Sequence, residues 1–346
     1  MKILIVRIVN ARLSIHLTIM KKTIAIVTGG YSGESVISYK TAETALKHMD
    51  SDLFDAYLVD IRKDGWFVVV QGEEFPVDKN DFSALVSGRR LKFDFAYFAL
   101  HGTPGEDGKL QGYFDMVQIP YNTGNTLNLS VTFNKKFTTS VLQSLGFQVA
   151  KSLLAHQSQS SQLASEIEAK LRYPLFVKPN NGGSSIGISK VYQSSELAAA
   201  LQAAFAQDPE IIVEEYIEGR EFTCGVGYID GAVRALPITE IVSHNDFFDY
   251  QAKYEGASEE ITPAPLPDSL TTHIQQTVVE IYQALSCKGI VRIDFILNRE
   301  QPYVIEINTI PGMSSASIIP QQLQVAGYDL KSVITAQISH YLNAKR

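Results

Sequence analysis

Near the C-terminal end, two alternating apolar segments, Val291-Arg292-Ile293-Asp294-Phe295-Ile296-Leu297 and Pro302-Tyr303-Val304-Ile305-Glu306-Ile307-Asn308, are joined only by Asn298-Arg299-Glu300-Gln301. So short a connection restricts the pair to an antiparallel hairpin. A turn centred near Glu300 sets Asp294 opposite Glu306 and Arg292 opposite Asn308, all on one face because strand side chains alternate. Two carboxylates directly opposed repel each other. A cation between them removes the repulsion, and a set of Asp, Glu and Asn oxygens suits hard Mg²⁺ rather than zinc. The competing reading is a strand face whose charges point into water. Against it stands the continuation Thr309-Ile310-Pro311-Gly312-Met313-Ser314-Ser315, a small-residue turn opening onto a helix that begins near Ser317. Such a turn presents backbone N–H groups toward an anion. Hairpin and turn together read as the metal site of a phosphate-handling enzyme.

At 346 residues the chain exceeds one small core, and two or three domains are expected. A net charge of −7 argues against a general nucleic-acid binder. Cys224 and Cys287 form no motif and fit a reducing cytoplasm. The apolar stretch Met1 to Ile19 is interrupted by Arg7 and Arg12 and has no small-residue cleavage site after it. It is too short and too charged to span a membrane, and it makes a poor signal peptide. A second start, Met20-Lys21-Lys22, precedes the strand Thr23-Ile24-Ala25-Ile26-Val27. Residues 1–19 are therefore expected to lie outside the fold.

From there strands and helices alternate. Strand 23–28 runs into Gly29-Gly30-Tyr31-Ser32-Gly33-Glu34 and a helix over about 35–49. Strands follow near 55–60 and 66–70, and the buried-looking strand Phe93 to Leu100 ends at His101. That order predicts an open, mainly parallel α/β domain with ligands at the strand C-terminal ends, which makes 29–34 and 101–108 its functional loops. The middle region reads as helices near 133–145 and 160–171, strand 175–178, strand 186–192, helix 195–206 and strand 211–214. Asp230-Gly231 signals a hairpin. A polar loop over about 243–267 is long enough to serve as a cover for a site, and it precedes helix 268–285 and the hairpin.

Three loops carry chemistry. Lys178-Pro179-Asn180-Asn181-Gly182-Gly183-Ser184-Ser185-Ile186-Gly187-Ile188-Ser189-Lys190 lets backbone N–H groups close on phosphates, with a strand lysine as countercharge. It is no Walker A loop, because its lysine precedes the glycines. Its competing reading is an ordinary Gly-rich hairpin tip. Glu214-Glu215-Tyr216-Ile217-Glu218-Gly219-Arg220-Glu221 follows an apolar strand and offers carboxylates and apolar surface to an adenine and ribose; standing alone it would be a solvated acidic linker. His101-Gly102-Thr103-Pro104-Gly105-Glu106-Asp107-Gly108 sets a titratable ring beside the expected crevice, although a lone histidine is more often structural.

From about Lys22 onward the chain resembles the D-alanine–D-alanine ligases of the ATP-grasp superfamily. The matching residues are Gly29 to Glu34, His101 to Gly108 continuing to Gln111-Gly112, Lys178 to Lys190, Phe248-Asp249-Tyr250-Gln251-Ala252-Lys253-Tyr254, Arg292-Ile293-Asp294 and Glu306-Ile307-Asn308-Thr309-Ile310-Pro311-Gly312-Met313. Six motifs in the family's order make chance agreement improbable. The resemblance implies an α/β ATP-grasp fold: an N-terminal open parallel α/β domain (20–122), then two α+β domains (123–215 and 216–346) that sandwich the nucleotide.

It also implies ATP as substrate and two Mg²⁺ (or Mn²⁺) ions held by Asp294, Glu306 and Asn308. Lys135, Lys178, Lys253, Gly183 and Ser185 match phosphate-binding positions, and Glu214, Glu215, Ile217 and Glu221 the nucleotide stretch. Glu34 matches the partner of the first D-alanine's ammonium, with His101 beside it. Ser184 and Tyr254 match members of a network with Glu34 that closes the long loop. Arg292 and the Gly312 N–H match oxyanion donors, and Ser317 with Ile318 the second substrate's site. Ile318 stands where leucine is usual, a near-isosteric change. Ser35-Val36-Ile37 replaces a more charged stretch, so Glu34 lacks its usual acidic neighbour. Tyr254 favours a dipeptide over a depsipeptide product. The expected protein is a cytoplasmic, homodimeric enzyme that makes D-alanyl-D-alanine for the cell wall and takes neither nucleic acid nor membrane as partner. The alternatives are an ATP-grasp carboxylate–amine ligase for another amino-acid pair, or a nucleotide-binding regulator on a decayed ligase fold.

Overall fold

The computed structural model describes residues 21–159, 162–183, 185–243 and 258–343. The expectations for residues 1–19, for Ser184, and for Lys253 and Tyr254 in the long loop lie outside the described residues.

The apolar run after Lys22 forms β1 (Lys22–Gly29), whose residues from Ile24 onward are buried up to the final glycine. It is flanked in parallel by β2 (Phe54–Ile61) and β7 (Phe95–Phe98). Helix α1 (Ser35–Lys47) and the C-terminal α9 (Leu330–Asn343) cover one face, where Ile24, Ile26 and Phe95 pack with Ile334 and Ile338. On the other face Ala25, Val27 and Phe98 pack with Leu110 and Phe114 of α2 (Lys109–Met116). The mainly parallel sheet expected from the sequence is parallel only over β2-β1-β7. Beyond β2 it continues as the antiparallel meander β3 (Trp66–Val70), β4 (Glu73–Asp78), β5 (Ser83–Val86) and β6 (Arg89–Leu91). Two-residue turns impose that sense. Gln71-Gly72 and Ser87-Gly88 have positive φ at both residues (51° and 85°, 48° and 79°), the geometry that joins twisted antiparallel strands.

The helix expected near 133–145 is preceded by another. Asn134 separates α3 (Thr126–Phe133) from α4 (Lys135–Ser144) by leaving helical backbone, and its side chain accepts the Phe137 N–H as an N-cap. A second sheet then follows, in the order β10 (Ser189–Val191), β9 (Leu175–Pro179), β11 (Glu210–Glu215), β8 (Ser152–His156). Helices α5 (Leu163–Lys170) and α6 (Ser194–Phe205) bury Leu163, Ile167, Leu197 and Ala200 against Val177, Ile211 and Val213.

The third sheet runs β15 (Ser258–Ile261), β14 (Thr239–Ser243), β12 (Arg220–Ile229), β16 (Ile290–Asn298), β17 (Gln301–Asn308), and β13 (Ala232–Ala235) is also paired to β12. Helix α7 (Asp268–Ala284) supplies Ile274, Val278 and Ile281 to its core, and α8 (Ile318–Val325) packs near its β12 end. The β16–β17 hairpin turns at Arg299-Glu300, half a residue earlier than expected, and pairs Asn298 with Gln301 and Phe295 with Val304. A bulge between Asp294 and Phe295 then shifts the register by one, and Asp294 meets Glu306 while Arg292 meets Asn308, the pairs expected from the sequence.

Gly289 joins α7 to β16 with φ +73°, and a Cβ there would lie 2.1 Å from the Asn122 carbonyl oxygen. Gly289→Ala is expected to lose at least about 2 kcal/mol, through left-handed strain plus displacement of the 120–124 segment. Urea unfolding measures this; an unchanged midpoint at constant slope would contradict it.

Candidate active site

The end of β9 faces the sheet formed by the start of β12 and the β16–β17 hairpin across a cleft of about 600 Å³. On its floor Lys178 Nζ donates to Glu214 Oε2 at 2.7 Å, with both side chains about nine-tenths buried. Burial alone would push the Lys178 amine down, but Glu214, Glu306 and Glu221 outweigh it and hold the amine up, so the lysine is charged at neutral pH. Phe176, Tyr216, Ile217 and Ile296 give the same cleft flat apolar walls. Glu215 lies at its rim, where it accepts the Arg172 N–H at 3.1 Å.

The Gly/Ser loop emerges between β9 and β10, and its base is tied down on two sides. Asn180 Oδ1 accepts the Lys136 N–H at 2.9 Å, and Asp208 accepts both the Asn181 N–H (2.7 Å) and its amide (2.9 Å). Lys135 Nζ donates to the Gly182 carbonyl, which sets the lysine against the loop. Gly182, Ser185 and Gly187 all have positive φ.

A second cavity of about 320 Å³ adjoins the first, and Glu34, Lys135, Gly182, Gly183 and Glu306 line both. The Glu34 carboxylate is wedged between two glycines. A Cβ on Gly102 would lie 2.6 Å from one of its oxygens, and a Cβ on Gly183 2.7 Å from the other. Deeper in, His101 Nε2 bonds Thr41 Oγ1 at 2.9 Å, and the His101 N–H donates to Ser38 Oγ at 2.9 Å. Burial, helped by the nearby Arg292 charge, holds the His101 ring down to about 4, against a hydrogen bond to the Ile310 backbone. Gly312 and Ser317 lie at the far wall, so close that a Gly312 Cβ would meet Ser317 Oγ at 2.8 Å. Ser317 Oγ pairs with Ser314 Oγ at 2.8 Å and stands at the N-cap of α8, with Ile318 buried just inside it.

The hairpin supplies the charges between the cavities. Arg292 grips Asp294 with two hydrogen bonds of 2.9 Å, Asn308 donates to it at 3.0 Å, and Thr223 Oγ1 closes the set. Those four donors match the lone-pair capacity of one carboxylate. Among the described residues no three His, Cys, Asp or Glu side chains gather as a metal cluster. A cation would instead meet two facing carboxylates and one amide, oxygen donors only, which fits Mg²⁺ once the Asn308 amide turns its oxygen outward.

The structure thus brings Glu34, His101, Lys135, Gly183, Arg292, Glu306, Asn308, Gly312, Ser317 and Ile318 around one cavity, and Lys178, Ser185, Glu214, Glu215, Ile217, Glu221 and Asp294 around the other. Sequence reasoning missed Ser38, Thr41 and Thr223. Ser38 and Thr41 stand four and seven residues after Glu34, a helical spacing that could have flagged them. Thr223 had no such signal.

The family described as D-ala D-ala ligase N-terminus matches residues 23–124, and D-ala D-ala ligase C-terminus matches residues 141–339. The D-alanine–D-alanine ligase of Porphyromonas gingivalis is 46% identical over 327 residues, 94% of this chain and 99% of that one. Its counterpart in Bacteroides fragilis is 42% identical over 318 residues, 91% and 98% of the two chains. Among solved structures, the VanG D-Ala:D-Ser ligase from Enterococcus faecalis superposes with a TM-score of 0.83 at 32% identity, covering 93% of this chain and all of that one. A Bacillus anthracis D-alanine–D-alanine ligase complexed with ATP gives 0.73 at 29%, covering 93% and 97%. The ATP-grasp architecture expected from the sequence is the one these structures share.

The depressed His101 ring has a stability consequence. Its folded value of about 4 lies below the ordinary 6.5, so the unfolded chain binds the proton more readily. The contribution of the neutral ring is complete above pH 6.5 and is lost as pH falls toward 4, by up to roughly 3 kcal/mol. Denaturant unfolding of the native chain and His101→Gln between pH 7.5 and 4.5 should show this slope in the first and a flatter one in the second. Parallel curves would refute the assignment.

Proposed function

The chain belongs to the D-alanine–D-alanine ligase family, and on that premise we propose how its residues divide the work. Its reaction is the ATP-dependent joining of two D-alanines into D-alanyl-D-alanine. The observation that carries the proposal is the shared wall: Glu34, Lys135, Gly182, Gly183 and Glu306 line both the cleft and the smaller cavity. A nucleotide in the first therefore ends where an amino acid in the second begins.

The larger cleft takes ATP. Glu214 and Glu221 receive the ribose and adenine edge, the Phe176 and Ile217 walls cover the base, and the Gly/Ser loop with Lys135 and Lys178 receives the phosphates. Asp294, Glu306 and Asn308 hold the divalent ions, which neutralise phosphate charge when bound. In the smaller cavity Glu34 takes the first D-alanine's ammonium, leaving its carboxylate pointed at the γ-phosphate. Attack there gives an acyl phosphate and ADP. The second D-alanine, its carboxylate at Ser317 and the start of α8, attacks the acyl carbon through its amine, and phosphate leaves. Arg292 and the Gly312 N–H face the oxygen that gains charge in the tetrahedral intermediate. Arg292 can do so because Asp294 fixes its guanidinium plane from below. We also propose Lys253 as a further phosphate contact, Ser184 and Tyr254 as closing residues, and the division of the chain at 122 and 215 into three domains. A cytoplasmic homodimer goes with the family, and two buried free cysteines suit a reducing compartment.

Phosphate release from ATP and Mg²⁺ should require D-alanine, fail with L-alanine, and yield D-alanyl-D-alanine by mass spectrometry, with D-lactate a poor second substrate at neutral pH. Release with no dependence on D-alanine, or efficient D-alanyl-D-lactate formation, would overturn the substrate reading. Arg292→Ala should lower kcat on the order of 10²- to 10³-fold while nucleotide affinity changes little. Equal losses in both would make Arg292 structural.

A further inference from the structure

Glu106 belongs to none of the roles above, yet its carboxylate spans the site. One oxygen accepts the Gly102 N–H at 2.7 Å and the other the Ile310 N–H at 3.3 Å, across 204 residues of sequence. Both partners are backbone donors, and both sit next to working parts. Gly102 is pressed against Glu34 and Ser32, where a Cβ would come within 2.6 Å of either side chain. Ile310 opens the turn that carries Gly312 and leads to Ser317. The His101 ring lies against the following peptide, on the carbonyl side of Ile310. The loop after β7 thus grips the turn after β17 through the Glu106 side chain.

We propose that Glu106 is a positioning residue that sets the distance between the site of the first amino acid and the oxyanion and acceptor turn. This rests on the ligase reading. The chemistry requires a carboxylate: two N–H donors converge on it, and an amide would turn its own N–H group toward one of them. Burial pushes the Glu106 carboxyl up, the Glu34 charge adds to that, and the two backbone N–H groups oppose both by favouring the ionised form. An enclosed carboxyl beside the Glu34 and Glu306 charges is costly to keep, and its two bonds act on the two halves of the reaction centre.

The test compares the native chain with Glu106→Gln and Glu106→Asp. Steady-state kinetics should show KM for D-alanine raised and kcat lowered by about 10- to 100-fold in Glu106→Gln, with KM for ATP and the thermal midpoint nearly unchanged. Glu106→Asp, one methylene too short to reach both donors, should fall short as well. Hydrogen exchange over residues 308–313 supplies a readout that needs no turnover: protection at Ile310 should drop at least tenfold in Glu106→Gln. Unchanged exchange and D-alanine kinetics would overturn the proposal, and so would a parallel loss of ATP affinity and thermal stability. A native chain that ligates nothing, while exchange at Ile310 still responds to Glu106→Gln, would refute the ligase reading and leave the clasp standing.

Discussion

On the register set by the Arg299-Glu300 turn alone, Asp294 would face Ile305, and Glu306 would point away from it. The one-residue bulge beside Asp294 reverses that, because a shift by one moves a strand side chain to the other face. Beyond it, Arg292, Asp294, Glu306 and Asn308 share a surface, and the carboxylates and the arginine of the proposed metal and oxyanion sites are anchored there. Asp294 is the hub. It is 8% exposed, and it fixes Arg292 while itself being fixed by Thr223 and Asn308. A carboxylate without those donors would be expensive to bury.

Lys178 and Glu214 neutralise each other at the cleft floor, and the half-exposed Arg220 pairs with the buried Glu240 at the start of β12. Between the cavities the excess is acidic: Glu34, Glu106 and Glu306 face a small volume, and the first and third of these raise the second. An ammonium ion and divalent cations are the natural complements of such a volume. The glycines at 102 and 183 matter for the same reason, since they let backbone approach a carboxylate that a side chain would displace.

How much of this was legible depended on sequence distance. The hairpin, the Gly/Ser loop and the turn after Asn308 are local patterns of period and turn chemistry, and they could be read directly. The resemblance added Glu34 and Ser317. The antiparallel meander was overlooked, although Gln71-Gly72 and Ser87-Gly88 carry the same turn signal that was recognised at Asp230-Gly231. Helix α3 left no clear signal because Thr, Asn, Ser and Val, which are indifferent helix formers, make up much of Thr126–Phe133, and Asn134 divides it from α4 by its backbone and cap. The contacts of Glu106 with Ile310, of Thr223 with Asp294, and of Gln322 with Gly225 and Thr239 join residues 71 to 204 positions apart. No local periodicity encodes such pairs. They follow only once three sheets have been set side by side.

Helix α9 packs Ile334, Ile338 and Tyr341 against Ile24, Ile26 and Phe95 of the first sheet, and the Tyr341 hydroxyl accepts the Gly289 N–H at the entrance to β16. On the ribosome, β1 and β7 emerge long before the residues that cover them. Among the described residues, α1 and not α9 then covers this face of the first sheet while the second and third sheets are being made. Domains usually complete themselves in the order of their synthesis. In this chain the earliest sheet is sealed by one of the latest helices, so its burial, and with it the rigid seat of the Glu34 and His101 loops, is reached only when the hairpin that works beside them already exists.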